Sequence, residues 1–130
     1  MNPSCLLQNW TTVQLAASGS IVQSSSDWID ASAFSDVAIY TSTKQVTAAV
    51  GATIHIETSP SRDDELFRTM TDGSIAMNPT ENRMSFVKYQ LSTTTEPLAR
   101  WVRWRYTSTA ASVCCFRVWL RFNAQASLMK

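Results

Sequence analysis

Few residues in this chain have the types and spacing that acid–base chemistry requires. His55 is the only histidine, and Glu57 follows two residues later in a run that predicts a strand, where both side chains face the same side. Such a pair can exchange a proton, but no nucleophile or oxyanion-binding group accompanies it. We therefore expect both side chains to face solvent, and we predict that the protein is not an enzyme.

Metal-binding patterns are equally sparse. An Asp-Asp-Glu run at residues 63–65 offers carboxylates, but consecutive positions lack the alternating spacing of a calcium-binding loop and suit a solvated turn or a helix start. Cys5, Cys114 and Cys115 show no zinc-binding spacing, and neighbouring strand residues point to opposite faces, which disfavours a bridge between the last two. We expect reduced thiols packed as small apolar side chains, with no metal and no cofactor.

Arginine and tryptophan alternate in two segments near the C-terminus, PLARWVRWRY and CCFRVWLRF. If both segments are strands, one side of each is an apolar core face and the opposite side carries arginine and tryptophan. Guanidinium and indole groups form cation–π contacts, and both residue types are frequent anchors of protein interfaces. The predicted interface residues are Trp101, Arg103, Arg105, Arg117, Trp119 and Arg121.

Three uses of this arginine–tryptophan surface stay open at the level of the sequence. It can be an internal ladder covered by the N-terminal segment or by a loop, a contact with other proteins including further copies of the chain, or a site for nucleic acid or sugar. A net charge of +1 disfavours nucleic acid. Residues 1–81 carry three basic and nine acidic residues, whereas residues 82–130 carry eight basic and one acidic. Contact between copies would therefore be electrostatically favourable.

The elements that would position these residues are almost all strands. Alternating runs rich in Thr, Ser and Val recur between short polar breaks. One helical turn is expected at residues 62–70 and a long loop at residues 71–83, where Asp-Gly and Asn-Pro pairs indicate turns. The eight predicted strands span residues 11–16, 20–24, 27–31, 37–42, 52–58, 84–91, 100–107 and 113–123.

The pattern predicts an all-β protein, a single antiparallel β-sandwich of jelly-roll type over residues 1–130, with about eight strands and little helix. A chain of this length can bury a core without metal or disulfide staples. It shows no signal-peptide pattern and no run of about 20 apolar residues, so we expect no membrane partner and synthesis in a reducing compartment. Residues 1–9 and 124–130 could form short flexible arms.

Three short motifs follow one another along the chain: WID at residues 28–30, IHIETS at residues 54–59, and LARWVRWRY at residues 98–106. Their order, over residues 19–122, resembles that of small virion proteins of tailed bacteriophages, and more generally of discoidin-like and galactose-binding-like jelly rolls. The resemblance implies a non-catalytic structural subunit, decorating the capsid or associated with the tail, made in the host cytoplasm and carried in the virion. Its partners would be other virion proteins and copies of itself. The alternative is a carbohydrate-binding jelly-roll module that attaches to glycans.

Overall fold

The computed structural model describes residues 4–48, 51–76, 85–90 and 98–124, and only the backbone at 35–36, 45–48, 71–72, 85–90 and 123–124. Helical structure in this part of the chain consists of two 3₁₀ turns, Ser25–Asp27 and Asp64–Leu66. No helix within it is long and apolar enough to cross a membrane. The strands are β1 (Ser4–Leu15), β2 (Gly19–Val22), β3 (Ile29–Asp30), β4 (Phe34–Ala48), β5 (Thr53–Ser59), β6 (Arg68–Ala76), β7 (Ser85–Gln90), β8 (Trp101–Ser108) and β9 (Ser112–Ala124).

The strands form two packed antiparallel sheets. Sheet A has the order β1-β9-β4-β7, and sheet B has the order β2-β8-β5-β6, with β3 also paired to β8. The pairs β1·β9, β2·β8, β4·β7 and β5·β6 are nested from the ends of the chain towards its middle. This nesting is the jelly-roll arrangement, in which β2 and β3 act as two halves of one edge strand. The predicted all-β sandwich is confirmed.

The core lies between the inner faces of the two sheets, and on β9 every second side chain from Cys114 to Phe122 is buried in it. Trp104 of β8 meets Phe116 of β9 edge to face, with 5.0 Å between ring centroids. The Trp104 indole N–H donates to Gln8 Oε1 at 2.9 Å, so the ring is buried without leaving its donor unpaired. The predicted core faces are confirmed: the buried residues are Val102, Trp104 and Tyr106 on β8, and Cys114, Phe116, Val118, Leu120 and Phe122 on β9.

Strand β6 occupies a region for which we predicted a helical turn followed by a loop. The helical part is confined to the Asp64–Leu66 turn, and the strand starts at Arg68. A bulge separates two paired sections of β6, because Glu57 pairs with Thr69 whereas His55 pairs with Ser74. A Cβ on Gly73 would come within 2.8 Å of a backbone oxygen of β5, so the Asp-Gly signal marks a close backbone approach within a bulge rather than a loop. Residues 77–83 lie outside the described part.

Two other predictions are corrected at the strand ends. The possible flexible arm at residues 1–9 is corrected for residues 4–9, which belong to β1 and pair with β9. The strand predicted at residues 27–31 is limited to β3, because the Ser25–Asp27 turn takes its first position. At the other end of the chain, residue 124 closes β9, and residues 1–3 and 125–130 lie outside the described part. The early strand β1 therefore contributes to the same sheet as β9.

Candidate functional site

The structure places the six predicted interface residues on two surfaces instead of one. Strand β8 lies in sheet B and β9 in sheet A, and their inner faces meet in the core, so their outer faces point in opposite directions. We call the outer side of sheet B the sheet-B face and the outer side of sheet A the sheet-A face. The sheet-B face carries Trp101, Arg103 and Arg105, and the sheet-A face carries Arg117, Trp119 and Arg121.

A buried ion network occupies the sheet-B face. Arg103 donates from Nε to Glu57 Oε1 at 2.9 Å and from Nη1 to Asp64, while Arg105 donates from Nε to the second oxygen of Glu57 at 2.7 Å. The side chains of Glu57 and Arg103 are each only 5% exposed. Because both carboxylate oxygens are used and the pair is shielded from water, removing either member would leave a buried charge with too few partners.

Aromatic rings cover this network. The Arg103 guanidinium lies 3.9 Å from the Phe67 ring centroid and 5.1 Å from that of Trp28. Arg62 continues the series, at 5.2 Å from the Trp28 centroid and 4.6 Å from that of Trp101. Cations and rings thus alternate, and each cation–π contact contributes about 0.5–2 kcal/mol. We call these five residues the arginine–aromatic stack.

Two local turns hold the stack in place. The Ser25–Asp27 turn interrupts the edge strand, and its Ser25 carbonyl accepts a hydrogen bond from Arg62 at 2.8 Å. The Asp64–Leu66 turn starts where Asp63 Oδ1 accepts the N–H of Glu65 at 3.0 Å, which is the N-cap arrangement, and it brings Asp64 to Arg103. On the β8 side, therefore, the chain itself covers the arginine–tryptophan surface. This is the first of the three uses that the sequence left open, an internal ladder covered by a loop.

His55 and Glu57 share the sheet-B face, as their spacing predicts, but the expectation that both face solvent is wrong for Glu57. Its carboxylate is buried beneath the stack. The ring of His55 lies 2.9 Å from both the Ser74 and the Thr107 hydroxyl, through Nδ1 and Nε2 respectively. Burial and the nearby Arg105 lower the pKa of His55, while Glu57 partly opposes this shift. The pair is held by separate partners rather than arranged to exchange a proton.

The sulfur and carboxylate groups do not converge either. The three cysteines are free thiols, and burial raises the pKa of Cys114 to about 12, with the neighbouring Cys115 adding to the shift. Within the described residues, no three His, Cys, Asp or Glu side chains are placed to hold a metal ion.

The sheet-A face is open where the sheet-B face is covered. Trp119 is 39% exposed and stands between Arg117 and Arg121 on the outer side of β9. Neighbouring strands place Tyr40 opposite Trp119, Ser42 opposite Arg117, and Ser4 opposite Arg121. These side chains line a groove of about 570 Å³, which lies within the usual size range of ligand pockets. We call it the basic groove, lined by Ser4, Tyr40, Ser42, Arg117, Trp119, Leu120 and Arg121.

The positive charge of the sheet-A face has no acidic counterpart among the side chains that the structure describes. Arg117 stacks on Trp10 at 4.7 Å and Lys44 on the same ring at 4.2 Å, and the buried Nε of Arg117 has no hydrogen-bond partner in the described part of the chain. The sequences of β1, β7 and β9 contain no Asp or Glu, and that of β4 contains one, Asp36. The carboxylates whose side chains are described belong to sheet B or its two turns: Asp27, Asp30, Glu57, Asp63, Asp64 and Glu65.

Several residues of both faces were not identified from the sequence. Trp10, Tyr40 and Lys44 join the sheet-A face because β1 and β4 flank β9, a pairing that no local pattern indicates. Trp28 and Phe67 reach Arg103 from turns that are distant in sequence. The sequence of residues 4–9 does not alternate, and β1 pairs with β9 through two register shifts, so no local pattern marks these residues as a strand.

The fold and the two faces define the chain as a jelly-roll sandwich with one internally compensated and one open outer face. A scan against protein-family models and a search of curated proteins each returned no match. The geometry of the two faces therefore carries the argument about function.

Proposed function

We propose that this chain is a non-catalytic structural protein of a tailed-bacteriophage virion, decorating the capsid or associated with the tail, and that it acts through protein–protein contacts. The observation that carries the proposal is the basic groove, where a partly exposed Trp119 lies between two arginines without acidic partners among the described side chains. Tryptophan and arginine are the residues most enriched at the energetic centres of interfaces.

The motifs behind the family resemblance support a scaffold role. Residues of all three converge on the sheet-B face: Trp28 packs on Arg103, Glu57 binds Arg103, and Asp30 forms an ion pair with Arg100 at 3.2 Å. Thr58 Oγ1 also donates to the Trp101 carbonyl at 2.9 Å. These contacts hold sheet B and its turns together, which leaves the sheet-A face for partners. Jelly rolls include viral capsid and lectin domains, so the fold agrees by analogy.

The proposed partners are other virion proteins and further copies of this chain, which would be made in the host cytoplasm and incorporated into the particle. Burial of Trp119 and its neighbours would supply most of the affinity, because apolar and aromatic groups dominate the centres of interfaces. The arginines would steer the approach and select an acidic partner surface. Assembly should therefore weaken as salt is added, without being abolished.

The test compares two tryptophans in sedimentation-velocity measurements over a range of protein concentrations. We expect the protein to form a defined oligomer, Trp119→Ala to shift it to monomer, and Trp101→Ala to leave it assembled. Trp101 is the matched control because it packs against Arg62 and Arg100 within the chain. Mass spectrometry of purified phage particles that encode the chain should find it in the particle. A monomer that is also absent from such particles would contradict the proposal.

A carbohydrate-binding module is the second candidate, because an exposed tryptophan beside hydroxyl groups in a groove of this size can stack on a sugar ring. A glycan array and a tryptophan-fluorescence titration separate the two functions. Saturable quenching by one sugar that Trp119→Ala removes, in a protein that stays monomeric, would favour this candidate. Binding to an oligonucleotide that falls steeply with salt would instead indicate nucleic acid.

A further inference from the structure

The Asp64–Leu66 turn presents a second exposed feature, on the opposite side of the molecule from the basic groove. Four contacts fix it: the Asp63 side chain and carbonyl accept from the N–H groups of Glu65 and Leu66, Asp64 binds Arg103, and Arg68 donates to the Glu65 carbonyl at 2.9 Å. The Glu65 side chain is exposed, and Leu66 is 43% exposed. We call Glu65 and Leu66 the acidic tip.

The acidic tip and the basic groove are complementary in two respects. Among the described residues the exposed large apolar side chains are Val22, Leu66 and Trp119, so the tip and the groove each contain one of them. In the tip the apolar side chain stands beside a carboxylate, and in the groove it stands between two guanidinium groups. Contact would cover both apolar surfaces and pair opposite charges, which is the combination found in specific interfaces.

The two features of one molecule cannot meet. The acidic tip directly follows Asp64, which binds Arg103 on the outer side of sheet B, whereas the basic groove is on the outer side of sheet A. Both sheets therefore separate them, with about 10 Å between the sheets alone. Two basic grooves would also repel each other, because Arg117 and Arg121 of both copies would come together. The geometry favours a contact between unlike surfaces of two copies.

We infer that the acidic tip of one copy inserts into the basic groove of the next, with Leu66 on Trp119 and Glu65 between Arg117 and Arg121. The inference rests on the proposed function and names a second copy of the chain as the partner. Such a contact is heterologous, since each copy offers a different surface, and each bound copy leaves one tip and one groove free. The copies therefore form a ring if the rotation between neighbours closes, and a filament if it does not.

The test is a charge exchange followed by sedimentation velocity. Glu65→Arg and Arg121→Glu should each weaken self-association about tenfold or more, because each places like charges together. The double variant Glu65→Arg/Arg121→Glu should restore association, since the exchanged charges again attract. Asp27→Arg is the control, because it reverses the same charge on the neighbouring exposed turn and should leave association unchanged. Circular dichroism and thermal melts confirm that all four variants are folded.

The outcomes separate this inference from the proposed function. If the protein assembles but neither single variant weakens it, or if the double variant does not restore it, the contact between tip and groove is wrong and a structural role stands. An effect of Asp27→Arg equal to that of Glu65→Arg would also overturn the specific contact. A monomeric protein found in phage particles overturns the self-contact alone, whereas a monomer absent from particles overturns both.

Discussion

The outer sides of β8 and β9 carry nearly the same alternation of arginine and tryptophan, yet they end in opposite states. On β8, Arg103 is buried against Glu57 and stacked between aromatic rings. On β9, Trp119 stays partly exposed, and Arg117 has a buried Nε with no hydrogen-bond partner among the described residues. Alternation determines which side chains share a face. The neighbouring strands and turns determine whether the charges on that face are paired and covered within the chain.

The difference arises from what lies beside each strand. Strand β5 pairs with β8 and brings Glu57 opposite Arg103, and the turn after β5 adds Asp64. Strands β1 and β4 flank β9 and bring hydroxyl, aromatic and lysine side chains instead. A carboxylate under the arginines makes the sheet-B face part of the stable fold. The side chains described on the sheet-A face include no carboxylate, so the positive charge of its arginines can be neutralised by a partner.

The largest expected difference between the two faces comes from removing one arginine on each. Arg103→Met should lower the free energy of unfolding by about 3 kcal/mol, because it leaves the buried Glu57 with Arg105 alone. Arg117→Met, the same change on the open face, should alter it by less than about 1 kcal/mol. Urea denaturation followed by circular dichroism measures both. Equal losses would show that the sheet-A face is also part of the stabilising structure.

A smaller difference is expected between two tryptophans. Trp28→Ala removes an edge-to-face contact with Phe67 at 4.7 Å between centroids and the two arginine contacts, so it should cost about 2 kcal/mol of unfolding free energy. Trp119→Ala removes a partly exposed ring and should change that quantity by about 0.5 kcal/mol or less. Thermal melts of the monomeric protein, at low concentration, provide the measurement. If Trp119→Ala lowers the unfolding free energy more than Trp28→Ala does, the sheet-A face and not the sheet-B face stabilises the fold.

The sequence could predict the features that depend on neighbouring residues alone, namely which side chains of a strand share a face. Alternation places Val102, Trp104 and Tyr106 in the core and their neighbours on β8 outside it, and the structure agrees. The dense strand signals and the short breaks predict the sandwich. Each inference needs only the two-residue period of a strand and the preference of apolar side chains for burial.

The part that could not be predicted depends on contacts between distant segments. Glu57 meets Arg103 across 46 residues of sequence, and no local pattern indicates that β5 rather than β9 pairs with β8. Strand β6 was missed because its Asp-Gly pair is a turn signal in sequence but a bulge in the folded chain. The six arginine and tryptophan residues are predicted as one surface, but they form two faces, because no local pattern indicates that β8 and β9 lie in different sheets.

The smallest expected effect is a pH dependence that belongs to the sheet-B face. His55 has a pKa below its ordinary value in the folded protein, because it is partly buried and lies near Arg105. The unfolded chain then takes up the proton more readily as pH falls. Stability from the neutral ring is therefore present above the unfolded pKa of 6.5 and is lost as pH falls through the lower folded pKa.

His55→Gln keeps a polar side chain between Ser74 and Thr107 but cannot titrate, so it isolates this effect. Urea midpoints measured from pH ~8 to ~5 should fall more steeply for the wild type than for this variant. No histidine or carboxylate is among the side chains described on the sheet-A face, so Arg117→Met should follow the wild-type profile. If His55→Gln shows the same slope as the wild type, the acid sensitivity arises elsewhere and the imidazole is not held neutral by its surroundings. If Arg117→Met flattens the slope instead, the two faces are coupled through the core rather than independent.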